Sequence, residues 1–93
     1  MKQKAPHVIT AESIRDWLVE QFAHRLGVKA GEIDVNQYFN DFGLDSTQAL
    51  ALANGLESWL GMEVEAAALW YYPTIAEFSQ YIAEEYASHQ AAA

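Results

Sequence analysis

Residues 45–61 read Asp-Ser-Thr-Gln-Ala-Leu-Ala-Leu-Ala-Asn-Gly-Leu-Glu-Ser-Trp-Leu-Gly, and this stretch decides the fold. Asp45 and Gln48 have the spacing of a capping box, in which each side chain accepts a hydrogen bond from the other residue's amide. Apolar side chains then recur at helical spacing on one face: Ala49, Leu52, Ala53, Leu56 and Leu60, with Trp59 beside them. Gly61 is the residue type that most often ends a helix. The stretch therefore predicts an amphipathic helix with Ser46 as its first residue.

Helices are also predicted on both sides of this stretch. The first opens at Thr10 and stops at Gly27, with an apolar stripe formed by Ile14, Trp17, Leu18, Phe22 and Leu26. After Val64 a short helical turn over residues 65–70 is stopped by Pro73. Thr74 and Glu77 then form a second capping box, which opens a last helix whose inward residues are Ile75, Phe78, Ile82 and Tyr86. Because no stretch alternates apolar and polar residues, strands are not expected.

The connection from Gly27 to Asp45 is too long to be slack chain in a small domain. It carries enough apolar side chains to pack across a helical core: Val28, Ile33, Val35, Tyr38, Phe39, Phe42 and Leu44. A short turn is expected near residues 36–39. The predicted fold is therefore all-α, a four-helix bundle of three longer helices and one short helix, with a long packed loop between the first and second helices.

Composition limits the domain count and the class of partner. With 93 residues, 52% of them hydrophobic, the chain has room for one domain, predicted over residues 9–88 between a flexible lead-in (1–8) and a flexible tail (89–93). A formal charge of −8 argues against nucleic-acid binding. It either keeps the domain soluble or attracts basic partners. No apolar run is long enough to cross a bilayer, so we expect a soluble cytoplasmic monomer without a membrane partner.

Metal and hydrolytic sites are not predicted. An EF-hand loop begun at Asp34 would place Phe39 at the glycine position and Asp45 at the final glutamate position. The three histidines lack the spacing of metal ligands, and none lies near Ser46 in sequence to act as a general base. Taken alone, an aspartate and a serine at a helix start are ordinary capping chemistry.

Two motif regions change that interpretation. The first consists of Phe39, Phe42, Gly43, Leu44, Asp45 and Ser46, followed by Leu52 and Leu56. The second is the junction before the last helix, formed by Trp70, Tyr72, Pro73, Thr74, Ile75 and Phe78. Together they resemble the prosthetic-group site and the third-to-fourth helix junction of acyl carrier and peptidyl carrier proteins, over residues 9–86.

The resemblance implies a carrier domain with no catalytic residues of its own. Ser46 is expected to bear a covalent 4′-phosphopantetheine arm, whose thiol holds acyl groups as thioesters, and Gly43, Leu44, Asp45 and Thr47 are expected to surround it. The implied partners are a phosphopantetheinyl transferase, a loading enzyme such as an acyl-adenylate ligase or acyltransferase, and a ketosynthase or condensation-type enzyme.

Thr47 departs from the family pattern, in which an aliphatic residue or methionine usually follows the serine. The second helix also holds few acids, so its recognition surface is expected to be more apolar than in fatty-acid-synthase carriers. The residues expected to dock partners are Gln48, Leu50, Asn54, Glu57 and Trp70. The pairing of residues 56–61 with residues 70–74 looks most like carriers of polyketide or lipid-loading systems, including those served by fatty acyl-adenylate ligases. The alternatives are a peptidyl carrier domain of a nonribosomal peptide synthetase and an acidic helical interaction module without a prosthetic group.

Overall fold

The computed structural model describes residues 9–92, with side chains over residues 9–90. It contains four α-helices, which we number in chain order: α1 (Ala11–Leu26), α2 (Ser46–Leu60), α3 (Ala68–Tyr71) and α4 (Ile75–Ala92). Within that range no strand forms, and the one β contact is an isolated antiparallel bridge between Tyr38 and Thr74. The predicted all-α bundle of three longer helices and one short helix is confirmed. The predicted lead-in, residues 1–8, lies outside the described residues.

The helix starts follow the local side-chain chemistry. At α1, Thr10 accepts from the Ser13 amide at 3.1 Å, and the Ser13 hydroxyl accepts from the Thr10 amide at 2.9 Å. At α4, Thr74 accepts from the Glu77 amide at 3.1 Å, whereas the Glu77 carboxylate accepts from the Thr74 hydroxyl and not from its amide. The second predicted capping box is therefore only half formed.

The far end of α4 includes most of the segment predicted as a tail. The helix continues to Ala92, so the described residues of that segment, 89–92, are helical. The added residues are His-Gln-Ala-Ala, and alanine has the highest intrinsic helix propensity of the amino acids. Local propensity therefore extends the helix beyond the last inward-facing side chain, Tyr86.

Aromatic contacts fix the direction of the helices. Phe22, near the end of α1, stacks on Phe39 at 5.6 Å between ring centroids, and Phe39 meets Phe78, near the start of α4, edge-on at 6.0 Å. Trp17, in the middle of α1, stacks on Trp59, near the end of α2, at 5.5 Å. Phe22 also contacts Phe42, four residues before α2, at 4.9 Å between ring centroids. Thus α1 runs antiparallel to both α2 and α4, and its first turn lies at the end of the bundle where those two helices finish.

The crossing loop, defined as residues 27–45, is tied to the core and to the start of α4. It contains two 3₁₀ turns, Ala30–Glu32 and Phe39–Phe42, so the turn expected at residues 36–39 lies three residues later. The Phe39 amide donates to the Pro73 carbonyl at 2.8 Å, and the Ala76 amide donates to the Val35 carbonyl at 3.0 Å. The predicted packed loop is confirmed.

Three apolar residues expected inside are exposed. Leu26 is 42% exposed, Val28 38% and Tyr38 58%. Leu26 is the last residue of α1, and the chain turns away from the bundle at Gly27, where φ is 71°. The helix expected from Glu65 begins at Ala68, because residues 65–67 form a tighter turn whose carbonyls accept from the amides of Ala68, Leu69 and Trp70, each three residues on. None of the described helices is long and apolar enough to cross a membrane.

Candidate functional site

The start of α2 is capped by two side chains that flank Ser46. The Asp45 carboxylate accepts from the Gln48 amide at 2.8 Å, and the Gln48 side-chain oxygen accepts from the Asp45 amide at 3.3 Å. This is the capping box that the sequence predicts. Asp45 and Gln48 therefore form the capping box by themselves, and the Ser46 hydroxyl is not part of it.

Ser46 is exposed as the first residue of α2. Its hydroxyl takes part in none of the hydrogen bonds found among residues 9–90, and within the same range the Ser46 and Thr47 amides have no acceptor. Unpaired amides and the helix dipole both favour negative charge at a helix start. The position therefore combines an accessible hydroxyl with a local preference for an anionic substituent on it.

The residues just before Ser46 hold the chain in place. Leu44 is buried, 5% exposed, and anchors the crossing loop to the core two residues ahead of the serine. Gly43 has φ 78°, in the left-handed region that glycine adopts without strain, and its amide closes the second 3₁₀ turn by donating to the Asn40 carbonyl at 3.0 Å. This turn and the Leu44 anchor together present Ser46 at the surface on a fixed backbone.

The exposed face of α2 carries no charge near the serine. Its solvent-facing side chains are Thr47, Leu50, Ala51, Asn54 and Ser58. Leu50 is 55% exposed, an unusual position for a large apolar side chain that nothing in the fold covers. Trp70, on the short helix α3, is 46% exposed. These residues are available for contact with a partner.

Two of the residues expected to dock partners also have structural roles. Gln48 is half-buried and engaged in the capping box. Glu57 is half-buried, and its Oε1 accepts from the Val64 amide at 3.1 Å, which ties the chain after α2 back to the helix. Tyr71, 78% exposed, was missed. The Trp-Tyr-Tyr run before Pro73 carried the signal, because a helix of four residues cannot bury three consecutive large aromatics.

Comparison with known proteins decides the family. The phosphopantetheine attachment site family matches residues 16–82, which is most of the chain. The chain belongs to this family. The acyl carrier protein TtuC of Teredinibacter turnerae is 35% identical over 75 residues, covering 81% of this chain and 86% of that protein. A phenolphthiocerol/phthiocerol polyketide synthase protein of Mycobacterium tuberculosis is 33% identical over 67 residues, or 72% of this chain and 4% of that much longer protein.

Solved carrier structures share the fold. An acyl carrier protein of Anabaena, which has a variant phosphopantetheinylation-site sequence, superposes with a TM-score of 0.81 at 36% identity, covering 91% of this chain and 97% of that one. A free-standing peptidyl carrier protein of Acinetobacter baumannii gives a TM-score of 0.76 at 31% identity, covering 84% and 98%. The four-helix arrangement is therefore that of carrier proteins.

Membership of this family makes the chain a carrier protein and not an enzyme. The cofactor of the family is 4′-phosphopantetheine, held covalently by a serine. When bound, the arm supplies a thiol that carries acyl groups as thioesters. The start of α2 fits such a group, because it offers an exposed serine hydroxyl and two amides without acceptors among the described residues.

Proposed function

We propose that Ser46 is the serine that carries the phosphopantetheine arm. The observation that supports it most directly is that Asp45 and Gln48 complete the helix cap without the Ser46 hydroxyl, which is left exposed and unpaired among the described residues. A serine needed only for capping would accept a hydrogen bond from a first-turn amide. The alternative of an ordinary capping serine in an interaction module is disfavoured on this ground.

The other serines within the matched region suit attachment less well. Ser79 is 2% exposed and donates to the Ala76 carbonyl at 3.1 Å, so a transferase could not reach it without unfolding α4. Ser58 is exposed but lies two residues before the end of α2, where the helix dipole disfavours an anionic group. Ser46 alone among the three combines exposure with a helix start.

The chain's own residues prepare the acceptor for a separate transferase. The Ser46 oxygen bonds to the pantetheine-bearing phosphorus of coenzyme A, its proton passes to a base of the transferase, and the pyrophosphate P–O bond breaks, so that adenosine bisphosphate departs. The dipole of α2 and the Ser46 and Thr47 amides stabilise the resulting charge. Asp45 keeps its carboxylate turned to the Gln48 amide, which lessens its repulsion of the phosphate.

We further propose that this carrier protein acts in a polyketide-type pathway. Its successive partners would be a phosphopantetheinyl transferase, an acyl-loading enzyme and a ketosynthase. Support comes from the similarity to segments of polyketide synthases, including 28% identity over 71 residues to PksL of Bacillus subtilis. The uncharged exposed face of α2 fits partners that recognise shape and apolar contact more than charge. A peptidyl cargo is the second candidate, supported by the likeness to the Acinetobacter peptidyl carrier protein.

Intact-mass measurement tests the attachment. After incubation with coenzyme A and a broad-specificity transferase, we expect the mass to rise by one phosphopantetheine. Ser46→Ala is expected to abolish the gain, and the matched variant Ser58→Ala to retain it. A gain that persisted in Ser46→Ala, or no gain with several competent transferases, would contradict the proposal. Loading of the modified protein by an acyl-adenylate ligase, but not by an amino-acid-adenylating domain, would favour the acyl cargo.

A further inference from the structure

A groove lies at the end of the bundle opposite the start of α2. It runs between the segment that follows α2, residues 62–65, and the outer half of α4, and encloses about 510 Å³. Its lining includes Met62, Val64 and Ile82, each at most 8% exposed. These side chains form the apolar floor of the groove, and the rest of the lining is polar: three glutamates, Tyr81, Ser88 and His89.

Carboxylates form the rim of this groove. Glu63, Glu65 and Glu85 line it and are exposed. The only salt bridge among the described residues joins Arg15 to Glu12 on α1, so none of the rim carboxylates forms an ion pair within that part of the chain. Burial, followed by the charge of Glu85, raises the pKa of Tyr81, which also lines the groove.

The charges of the domain are segregated. The described cations, Arg15, Arg25 and Lys29, all belong to α1 and the start of the crossing loop, and residues 30–92 contain ten acids with no lysine or arginine. The one basic side chain that lines the groove is therefore His89, against three rim carboxylates, and α2, α3, α4 and the loops between them supply no lysine or arginine. The three rim carboxylates are also not arranged for a metal ion, since across residues 9–90 no three potential ligands come together.

We propose that this groove, defined by residues 62–65 and by Tyr81, Ile82 and Glu85, docks a basic segment of a partner protein that presents arginine beside an apolar side chain. Arginine suits the site because its planar head pairs with carboxylates while its aliphatic stem packs on an apolar floor. The neighbouring apolar side chain of the partner covers Met62 and Val64. Anionic membranes and nucleic acids are repelled by the same rim.

The groove lies far enough from Ser46 for a docked partner and a second enzyme to bind at the same time. Helix α2 has 15 residues and separates the groove from Ser46 by about 21 Å at 1.5 Å per residue. A partner seated in the groove leaves the start of α2 uncovered. The carrier can therefore stay attached to one protein while a second enzyme works at Ser46, which raises the effective concentration of the carrier for enzymes held nearby.

The test uses the isotope-labelled Ser46→Ala variant, so that its outcome does not depend on the attachment proposal. The probe is a synthetic peptide with arginine and leucine on one helical face, and its control is the same peptide with glutamine for arginine. We expect chemical-shift changes confined to residues 62–65 and 81–85. Glu65→Gln with Glu85→Gln should weaken binding about tenfold, since exposed ion pairs each contribute modestly. Asp16→Asn with Glu20→Gln, which removes as many exposed charges from α1, should leave it unchanged.

Salt and competition complete the test. Near 1 M salt, where the screening length is about 3 Å, the advantage of the arginine peptide should largely vanish. In the wild-type protein, saturating peptide should leave the rate of phosphopantetheine transfer unchanged. Equal weakening by both double variants, shifts centred on α2, or equal binding of the glutamine peptide would overturn the proposal. Two further results would overturn it, because each would mean that the groove binds a part of this protein. One is a dimer of the wild-type protein that is lost in Glu65→Gln with Glu85→Gln. The other is a chemical-shift change at the groove when Lys2→Gln and Lys4→Gln are introduced without any peptide.

Discussion

Replacing Asp45 and Ser46 one at a time separates the structural role of one residue from the chemical role of the other. Asp45→Ala removes the acceptor for the Gln48 amide and the negative charge at the start of α2. A lost N-cap costs about 1 kcal/mol, and the lost charge adds about 0.3–1 kcal/mol. We therefore expect the free energy of unfolding to fall by about 1–2 kcal/mol. In a domain of this size, each kcal/mol lowers the melting temperature by about 4–8 °C.

Ser46→Ala should behave in the opposite way. The serine hydroxyl has no hydrogen bond to lose among the described residues, and alanine has the higher helix propensity. We expect stability to stay within about 0.5 kcal/mol of the wild type while the phosphopantetheine mass gain disappears. Asp45→Asn, which keeps the cap without the charge, should lie between the wild type and Asp45→Ala in stability.

The assay is urea unfolding followed by helical circular dichroism, run beside the intact-mass measurement on each variant. Asp45→Ala should be less stable yet still accept the arm at temperatures where it remains folded. The reasoning is refuted if Ser46→Ala destabilises the domain as much as Asp45→Ala does. That result would make Ser46 part of the cap and remove the main support for its role as the attachment residue.

Three further predictions concern the core, the acidic face and the docking face. Phe39 is buried, so Phe39→Ala should lower the free energy of unfolding in urea by about 3–5 kcal/mol. Its neighbour Tyr38 is exposed, so Tyr38→Ala should lower it by less than about 0.5 kcal/mol. Similar losses in the two variants would show that the crossing loop is not packed. The raised pKa of Tyr81 means that the folded state holds the phenol proton more tightly than the unfolded state, so this contribution to stability is present below the ordinary pKa of 10.0 and is lost as pH rises through the folded-state pKa. Tyr81→Phe should therefore make the free energy of unfolding fall less steeply with pH in alkaline solution. An unchanged slope of unfolding free energy against pH would contradict this. Leu50→Asn should raise the KM of the transferase for the carrier several-fold and leave the free energy of unfolding unchanged. Leu26→Asn, which replaces a second exposed leucine, should change neither quantity. If the two variants have the same KM, Leu50 does not belong to the docking face.

Features set by neighbours in sequence were predictable. The capping box at Asp45 and Gln48 and the stop at Gly61 depend on spacing of a few residues, and the structure has both. Of the apolar stripe predicted for α1, the first four residues are buried as expected. Leu26 is exposed, because the helical periodicity continues to the end of the helix but no neighbouring element extends far enough to cover that end.

The candidate site was less fully predictable. The exposure of Leu50 follows from helical spacing, since it lies off the buried face of α2. The hydrogen bond from the Val64 amide to Glu57 joins residues seven apart through a turn whose path depends on tertiary packing, so the sequence did not predict this structural role of Glu57. The acidic groove was also out of reach, because it joins residues 62–65 to α4 across the fold.

The tie between the crossing loop and the start of α4 bears on when the carrier becomes usable during synthesis. Val35 and Ala76 are joined through their backbones although about forty residues separate them. A ribosome makes Ser46 well before Ala76, so the loop that leads to the serine has no α4 to rest on while the chain is half made. Phosphopantetheine transfer to nascent chains should therefore begin only after residues 74–78 have left the ribosome. Modification would then mark chains that have folded, and truncated products would remain unloaded.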